Sequence, residues 1–140
     1  MTDMRRFVTR GAREELCVEV KPESCGMVIF GASGDLTRRK LLPALFELFR
    51  RKLLPAPFFI LGCARTEMDV DAFRRSVRES LTGDDSDPLL EEFTRLCHFL
   101  SGSYDQPALY EKLESRLAEL EAGCPTGGNR IYYLATPPAL

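Results

Sequence analysis

The sequence contains only one histidine, and none of its cysteines lies in a Cys-x-x-Cys pair. The five cysteines are Cys17, Cys25, Cys63, Cys97 and Cys124. Because an odd number of widely spread cysteines and a single histidine form no metal-ligand pattern, we interpret the cysteines as reduced thiols and expect no metal site. The histidine, His98, lies within an apolar run, and this position favours a packed or hydrogen-bonded ring over a catalytic base.

The chain also lacks a large net charge and a long apolar run. Its net charge is −2, which argues against a general nucleic-acid-binding surface. No apolar run approaches the roughly 20 residues that a membrane-spanning helix needs, and the first residues lack the hydrophobic core of a secretory signal. We therefore expect a cytoplasmic protein with neither nucleic acid nor membrane as a partner.

What is present is organised around an apolar run, a glycine turn and an amphipathic segment between Met27 and Phe46. Met27 to Phe30 predict a strand buried on both faces, and Gly31 and Gly34 allow a tight reversal and a close approach of backbone to a ligand. The following helix directs its free N–H groups and its positive dipole end towards the turn, which favours a bound phosphate. A turn with a purely structural role has similar spacing and remains an alternative.

Four apolar strands alternate with helical segments along the chain. Strands are predicted at Met27–Phe30, Phe58–Cys63, Cys97–Leu100 and Ile131–Ala135. Helices are predicted at Leu36–Lys52, at Asp69–Leu81 and in a short segment from Asp87, and the first of them should have an irregular first turn at Pro43. A fourth helix is predicted after Asp105, which should cap it, and its buried face comprises Tyr110, Leu113, Leu117 and Leu120. This alternation predicts an α/β fold, a Rossmann-type doubly wound parallel sheet of strand order 3-2-1-4 with a switch point between strands 1 and 4.

The end of the second predicted strand bears on the choice of coenzyme. In doubly wound folds an acidic side chain there binds the ribose hydroxyls, whereas an arginine accommodates the 2′-phosphate of NADP. This strand ends in Ala64-Arg65-Thr66, and a guanidinium beside a hydroxyl suits a phosphate, so we expect NADP in preference to NAD. The alternative for Arg65 is a surface ion pair with Glu67 or Asp69, two acids that also suit the start of the next helix.

Residues near the other strand ends allow two interpretations each. The basic run Arg38–Lys40 either attracts phosphate or forms a solvated face, and Asp35 either lies beside a pyrophosphate or caps the helix. Ser101-Gly102 and Ala135-Thr136 follow the third and fourth strands, at the edge of the sheet where a dinucleotide binds in such folds. They either border the adenine and nicotinamide halves of a coenzyme or simply end the strands.

Three stretches of the sequence resemble the glucose-6-phosphate dehydrogenase family. Its coenzyme-binding signature is similar to Gly31-Ala32-Ser33-Gly34-Asp35-Leu36-Thr37-Arg38-Arg39-Lys40-Leu41-Leu42-Pro43-Ala44-Leu45-Phe46. Two later segments of the family are similar to Gly62-Cys63-Ala64-Arg65-Thr66 and to Asn129-Arg130-Ile131-Tyr132-Tyr133-Leu134-Ala135-Thr136-Pro137-Pro138. The resemblance implies that the pyrophosphate of NADP is bound by Gly31, Ala32, Ser33, Gly34, Asp35, Leu36, Thr37 and Arg38. It also implies that Arg65 and Thr66 bind the 2′-phosphate.

The resemblance further implies a homo-oligomeric parent enzyme that oxidises glucose 6-phosphate to 6-phosphogluconolactone in the pentose phosphate pathway, with NADP as hydride acceptor. The family's sugar-phosphate-binding motif, catalytic histidine and a later lysine are absent from these 140 residues. We therefore expect a chain truncated before the substrate domain, with a leader at 1–24 that is disordered or loosely docked and an NADP-binding Rossmann-like domain at 25–140. This chain alone is expected to be inactive.

Two other functions remain open from the residues alone. One is a stand-alone nucleotide-binding module without dehydrogenase activity, and the other is a purely structural subunit. Truncation after the fourth strand is also expected to leave this strand at an unpaired sheet edge, which favours self-association.

Overall fold

The computed structural model of the protein describes residues 23–81 and 87–136. The predicted leader therefore lies outside the described residues apart from its last two, and so do Cys17 and the Pro137-Pro138 pair that follows the fourth strand. Within the described ranges, none of the helices is long and apolar enough to cross a membrane, and no group of three or more potential metal ligands comes together.

Four parallel strands form one sheet. Their bounds are Cys25–Phe30 for β1, Phe58–Ala64 for β2, Cys97–Ser101 for β3 and Arg130–Leu134 for β4. The order across the sheet is β3-β2-β1-β4, with β1 parallel to both β2 and β4. This confirms the predicted fold class and strand order, because alternating strands and helices with crossovers of one hand leave few other arrangements. The order reverses between β1 and β4.

The helices follow the strands as predicted, with one irregularity. A π-helical turn, Thr37–Leu41 (hereafter the π-turn), runs directly into helix α1, Leu42–Arg50. Helix α2 is Val70–Ser80, α3 is Pro88–Arg95 and α4 is Pro107–Gly123. The predicted irregularity near Pro43 is thus present as a widened turn just before the proline. Asp69 caps α2 by accepting a hydrogen bond from the Ala72 N–H at 2.7 Å, one of the two helix-opening acids predicted there.

The prediction for α4 was wrong in its cap and its first buried position. The helix begins at Pro107 after Gln106, which makes no side-chain cap bond, while the Asp105 carboxylate accepts a bond from the Ser103 hydroxyl. Leu109 takes the first buried position, because it lies four residues before Leu113 on the same face of the helix, and Tyr110 is 45 % exposed. Leu113 and Leu117 are buried as expected.

Apolar clusters cover both faces of the sheet. The larger one lies under α1, α2 and α3 and includes Ile29, Phe73 and Phe93, and the smaller one packs α4 through Leu113 and Leu117. Every residue of β2 is buried, as expected for a central strand covered on both faces. By contrast β4 is one of the two edge strands of the described sheet, the other being β3, and Leu134 in it is 72 % exposed. Self-association through this edge stays a prediction.

His98 lies in the middle of β3, opposite Leu61 of β2. Its Nδ1 lies 3.5 Å from an Nη of Arg116. Burial, together with the charges of Arg74 and Arg116, lowers the pKa of His98 to about 4. The ring is therefore neutral at pH 7 and held within the sheet, which confirms its interpretation as a packed, hydrogen-bonded residue.

Candidate functional site

The glycine turn connects β1 to the π-turn at the carboxyl edge of the sheet. Gly31 has a φ of +87°, a left-handed conformation that side chains with a Cβ adopt only at a cost. A Cβ on Gly31 would also lie 2.7 Å from the carbonyl oxygen of Ala135, and the Ala135 N–H donates to the Phe30 carbonyl at 2.8 Å. The turn therefore rests on the backbone that leaves β4, and only glycine fits there.

The carbonyl of Gly31 is fixed by two donors from the residues that follow. The Gly34 N–H donates to it at 3.0 Å, and the Thr37 hydroxyl donates to it at 2.9 Å. The Arg38 N–H in turn donates to the Gly34 carbonyl at 3.1 Å. Gly31, Gly34, Thr37 and Arg38 are thus brought together into one closed loop at the start of the helical segment.

Of the two alternatives for Asp35, the helix cap is not what the structure shows. The first helical turn has no side-chain cap bond, and the Asp35 carboxylate instead forms an ion pair with Arg39 at 3.0 Å. Both side chains are about three-quarters exposed, so the pair contributes little to stability. The two residues meet because side chains four apart on a helix are neighbours.

The carbonyl of Cys63, near the end of β2, is hydrogen-bonded to the N–H groups at the start of the glycine turn. It accepts hydrogen bonds from the N–H groups of Gly31 at 2.9 Å and Ala32 at 3.0 Å, and from the Tyr104 hydroxyl at 3.1 Å. The same hydroxyl accepts a bond from the Gly31 N–H at 2.8 Å. Burial raises the pKa of Tyr104, so its phenol remains protonated. One side chain thereby ties the segment after β3 to the ends of β1 and β2.

Tyr104 was missed by the sequence analysis. Its only signal is position, since it follows β3 by three residues at the edge where a doubly wound sheet binds its ligand. Gly102 also brings the segment after β3 close to the end of β2, because its N–H donates to the Ala64 carbonyl at 3.0 Å. The absence of a Cβ at Gly102 leaves room for Leu109.

Tyr104→Phe is expected to lower the free energy of unfolding by about 1 kcal/mol, the usual net value of one hydrogen bond. The Gly31 N–H keeps its bond to Cys63, so no buried donor is left unpaired. Urea unfolding measures the change. Tyr110→Phe is the matched control, since its hydroxyl bonds at the surface to the Tyr104 carbonyl and its loss should cost under about 0.5 kcal/mol. Equal losses in the two variants would contradict the bridging role of Tyr104.

Arg65 and Thr66 leave β2 beside the turn. The Thr66 hydroxyl lies 3.0 Å from the Ser33 hydroxyl, so the structure joins two stretches that are separate in the sequence. Arg65 is exposed and forms no ion pair with any residue of the described ranges. The carboxylate of Asp69, one of its two possible partners, instead caps α2. A surface ion pair of Arg65 with Glu67 or Asp69 is therefore not what the described residues show.

The remaining predicted residues lie at the same edge. Ala32 is buried in the turn, whereas Leu36 is 46 % exposed. Ser101 ends β3, and its carbonyl accepts a bond from the Lys112 ammonium at 3.1 Å. In the part of the chain that the structure describes, neither Arg38 nor Lys40 has an ion-pair partner, and both are exposed.

These residues fit a dinucleotide. The turn has no side chain at Gly31 and little space for one at Gly34, where a Cβ would lie 3.2 Å from the Gly31 carbonyl oxygen. Around it lie the hydroxyls of Ser33 and Thr66 and Arg65, which has no carboxylate partner among the described residues. Hydroxyls and guanidinium groups of this kind bind phosphate. The turn also lies where the strand order reverses, the place at which open α/β sheets bind ligands.

Comparison with known proteins points to one family. A family model described as "Glucose-6-phosphate dehydrogenase, NAD binding domain" matches residues 28–140. Glucose-6-phosphate 1-dehydrogenase of Aggregatibacter actinomycetemcomitans is 43 % identical over 123 residues, which is 86 % of this chain and 25 % of that protein. The enzyme of Schizosaccharomyces pombe is 42 % identical over 120 residues, or 83 % of this chain and 24 % of that protein.

Solved structures agree. A structure described as "Glucose-6-phosphate dehydrogenase in complex with its substrate glucose-6-phosphate" is 32 % identical and superposes with a TM-score of 0.76, covering 89 % of this chain and 26 % of its own. Glucose-6-phosphate 1-dehydrogenase from Mycobacterium avium is 30 % identical with a TM-score of 0.69, over 84 % of this chain and 24 % of its own. The chain thus spans about a quarter of the length of these relatives.

Proposed function

The chain belongs to the family of glucose-6-phosphate dehydrogenase NAD-binding domains, and from this premise we propose that it binds NADP in preference to NAD. The observation that carries the preference is at the end of β2. Arg65 is exposed without an ion-pair partner among the described residues, next to a Thr66 hydroxyl that lies 3.0 Å from Ser33 of the glycine turn. A guanidinium and two hydroxyls are well suited to a 2′-phosphate.

The glycine turn is proposed to bind the pyrophosphate. Its backbone from Gly31 to Arg38 lies at the start of a helical segment, where N–H groups and the dipole favour negative charge. Asp35 and Leu36 are proposed to contribute backbone N–H groups rather than side chains, in agreement with the ion pair that holds the Asp35 carboxylate on Arg39. Tyr104, which fixes the Gly31 N–H, keeps the turn in place from the adjoining segment.

The part of a reaction that such a domain performs is to hold the coenzyme. Bound NADP accepts a hydride. We propose that this is the hydride removed from glucose 6-phosphate when it is oxidised to the lactone, the entry step of the pentose phosphate pathway. The matched residues cover about a quarter of the length of the relatives of that name, so the sugar's binding, the proton transfer and a homo-oligomeric assembly are assigned to the whole enzyme.

Calorimetric titration of the chain with NADP and separately with NAD tests the proposal. We expect NADP to bind at least about tenfold more tightly, because the additional phosphate gains charge-assisted hydrogen bonds worth more than about 1.4 kcal/mol. Circular dichroism on the same sample establishes that the chain is folded. A folded chain that binds neither coenzyme, or binds both equally, would overturn the assignment.

A further inference from the structure

Two buried residues in the first helical segment stand five positions apart. Thr37 has no exposed surface and Leu42 is 1 % exposed. In an α-helix, residues five apart point about 140° away from each other, so an α-helix would bury only one of them. The spacing therefore requires a wider turn between these two positions.

The π-turn supplies that width. The Leu42 N–H donates to the Thr37 carbonyl, five residues back, instead of the usual four. Pro43 follows immediately. Because proline has no N–H and its ring clashes with the carbonyl four residues earlier in an α-helix, which here belongs to Arg39, the α-helical register is disfavoured at this point.

The two residues that the π-turn aligns are anchored in different parts of the molecule. Thr37 donates its hydroxyl to the Gly31 carbonyl at 2.9 Å, and this carbonyl also accepts the Gly34 N–H. Leu42 belongs to the apolar cluster under α1, α2 and α3. An α-helical turn would leave either the glycine turn without its hydroxyl donor or the core without a leucine.

We propose that the π-turn is a positioning device for the glycine turn, with Thr37 as the positioning residue. The wider turn takes up the five-residue spacing, so that Thr37 holds the Gly31 carbonyl while α1 stays packed. The glycine turn thereby keeps the conformation in which it binds the pyrophosphate. Single-turn π-helical insertions are frequent at functional sites. The inference rests on the proposed coenzyme function and deepens it.

The hydroxyl is tested with Thr37→Val, which keeps the shape and removes the donor, and with Thr37→Ser, which keeps the donor. Two probes are titrated against each variant: NADP, which needs the glycine turn, and adenosine 2′-phosphate, which needs only the end of β2. Thr37→Val should weaken NADP binding about tenfold, as expected for one lost positioning interaction, and leave adenosine 2′-phosphate binding unchanged. Thr37→Ser should bind NADP within about threefold of the wild type.

The register is tested by inserting an alanine after Lys40, which increases the spacing between Thr37 and Leu42 from five residues to six. Residues six apart in an α-helix point about 120° away from each other, so the helical segment no longer aligns the two side chains. Burial of a leucine outweighs one neutral hydrogen bond, so we expect the helix to stay packed and Thr37 to lose Gly31. NADP affinity should fall at least about tenfold, while binding of adenosine 2′-phosphate, the internal control, should stay unchanged.

Each outcome decides between the two ideas. If the wild type binds NADP and both Thr37→Val and the insertion variant bind it equally well, the positioning role is excluded and the coenzyme function stands. Parallel loss of both probes would also overturn the positioning role, since it would indicate general damage to the fold. A folded wild type that binds neither probe would overturn the proposed function and this inference together. Should the insertion variant fail to fold, the comparison of Thr37→Val with Thr37→Ser still decides.

Discussion

Replacing Gly31 with alanine is expected to lower NADP affinity by at least about 100-fold, equivalent to about 2.8 kcal/mol. The left-handed backbone at Gly31, with its φ of +87°, costs a residue with a Cβ about 1–2 kcal/mol. The added Cβ would also lie 2.7 Å from the Ala135 carbonyl oxygen, which is backbone and cannot rotate aside. The turn must therefore move, and its N–H groups move with it. Calorimetry with NADP measures the loss, and urea unfolding measures the accompanying destabilisation.

Gly128→Ala separates backbone strain from the steric clash. Gly128 has a φ of +78° but has nothing within 4 Å of its Cβ position, and it lies in the loop before β4. We expect this variant to lose stability and to keep NADP affinity. If Gly31→Ala bound NADP as well as Gly128→Ala does, the glycine turn would not be the pyrophosphate site.

Arg65→Ala is expected to lower NADP affinity by about 10- to 100-fold and to change NAD affinity by less than about threefold, because a hydrogen bond to a charged group contributes about 1.5–3 kcal/mol. The guanidinium has no carboxylate partner among the described residues, so its removal breaks no ion pair and should leave stability unchanged. Parallel titrations with NADP and NAD, together with thermal unfolding, measure both effects.

Arg75→Ala is the matched control for charge. Arg75 is exposed on α2 and, within the described ranges, forms no ion pair. The Arg75→Ala substitution removes the same charge from the surface and should change the affinity for neither NADP nor NAD. Arg65→Lys should recover only part of the NADP affinity, since a lysine keeps the charge but loses the planar fork that binds a phosphate through two parallel bonds. An equal loss of NADP and NAD in Arg65→Ala would contradict the assignment of Arg65 to the 2′-phosphate.

The strand order and the place of the glycine turn could be predicted from the sequence because both depend on local patterns. Each strand is a short apolar run, and each is followed by a helix with one apolar face, so the hand of the crossover connections settles the sheet. The glycine turn at Gly31 is predictable in the same way, since a glycine directly after a buried strand indicates that the chain reverses there. The caps at Asp69 and Asp87 were also predictable, because each acid directly precedes its helix.

The interpretations that failed are those in which a competing short-range contact takes the side chain that would have been a cap. Asp105 is a good helix cap by type, but its carboxylate accepts the Ser103 hydroxyl, and α4 begins at Pro107 with Leu109 packed against Gly102. Asp35 is equally suited to a cap, yet its carboxylate pairs with Arg39, and the Arg38 N–H donates to the Gly34 carbonyl instead. Residue type alone does not say which of these local contacts forms.

Many residues of the candidate site could be predicted from the sequence, but the contacts between them could not. The hydroxyl pair of Ser33 and Thr66 depends on the register of β1 against β2, which aligns Phe30 with Cys63. Tyr104 contributes through a hydrogen bond to a residue 73 positions away in the chain. The π-turn was foreseen only as an irregularity near Pro43, because the burial of Thr37 depends on the carbonyl that its hydroxyl meets.

The arrangement around Cys63 has a consequence for the chemical reactivity of the protein. Its carbonyl accepts three hydrogen bonds at the centre of the candidate site, whereas its side chain has no exposed surface, and burial raises the pKa of the thiol to about 12. Oxidants and alkylating reagents attack the exposed thiolate, and Cys63 offers neither the charge nor the access. We therefore expect the thiol of Cys63 to react with neither class of reagent while the chain is folded.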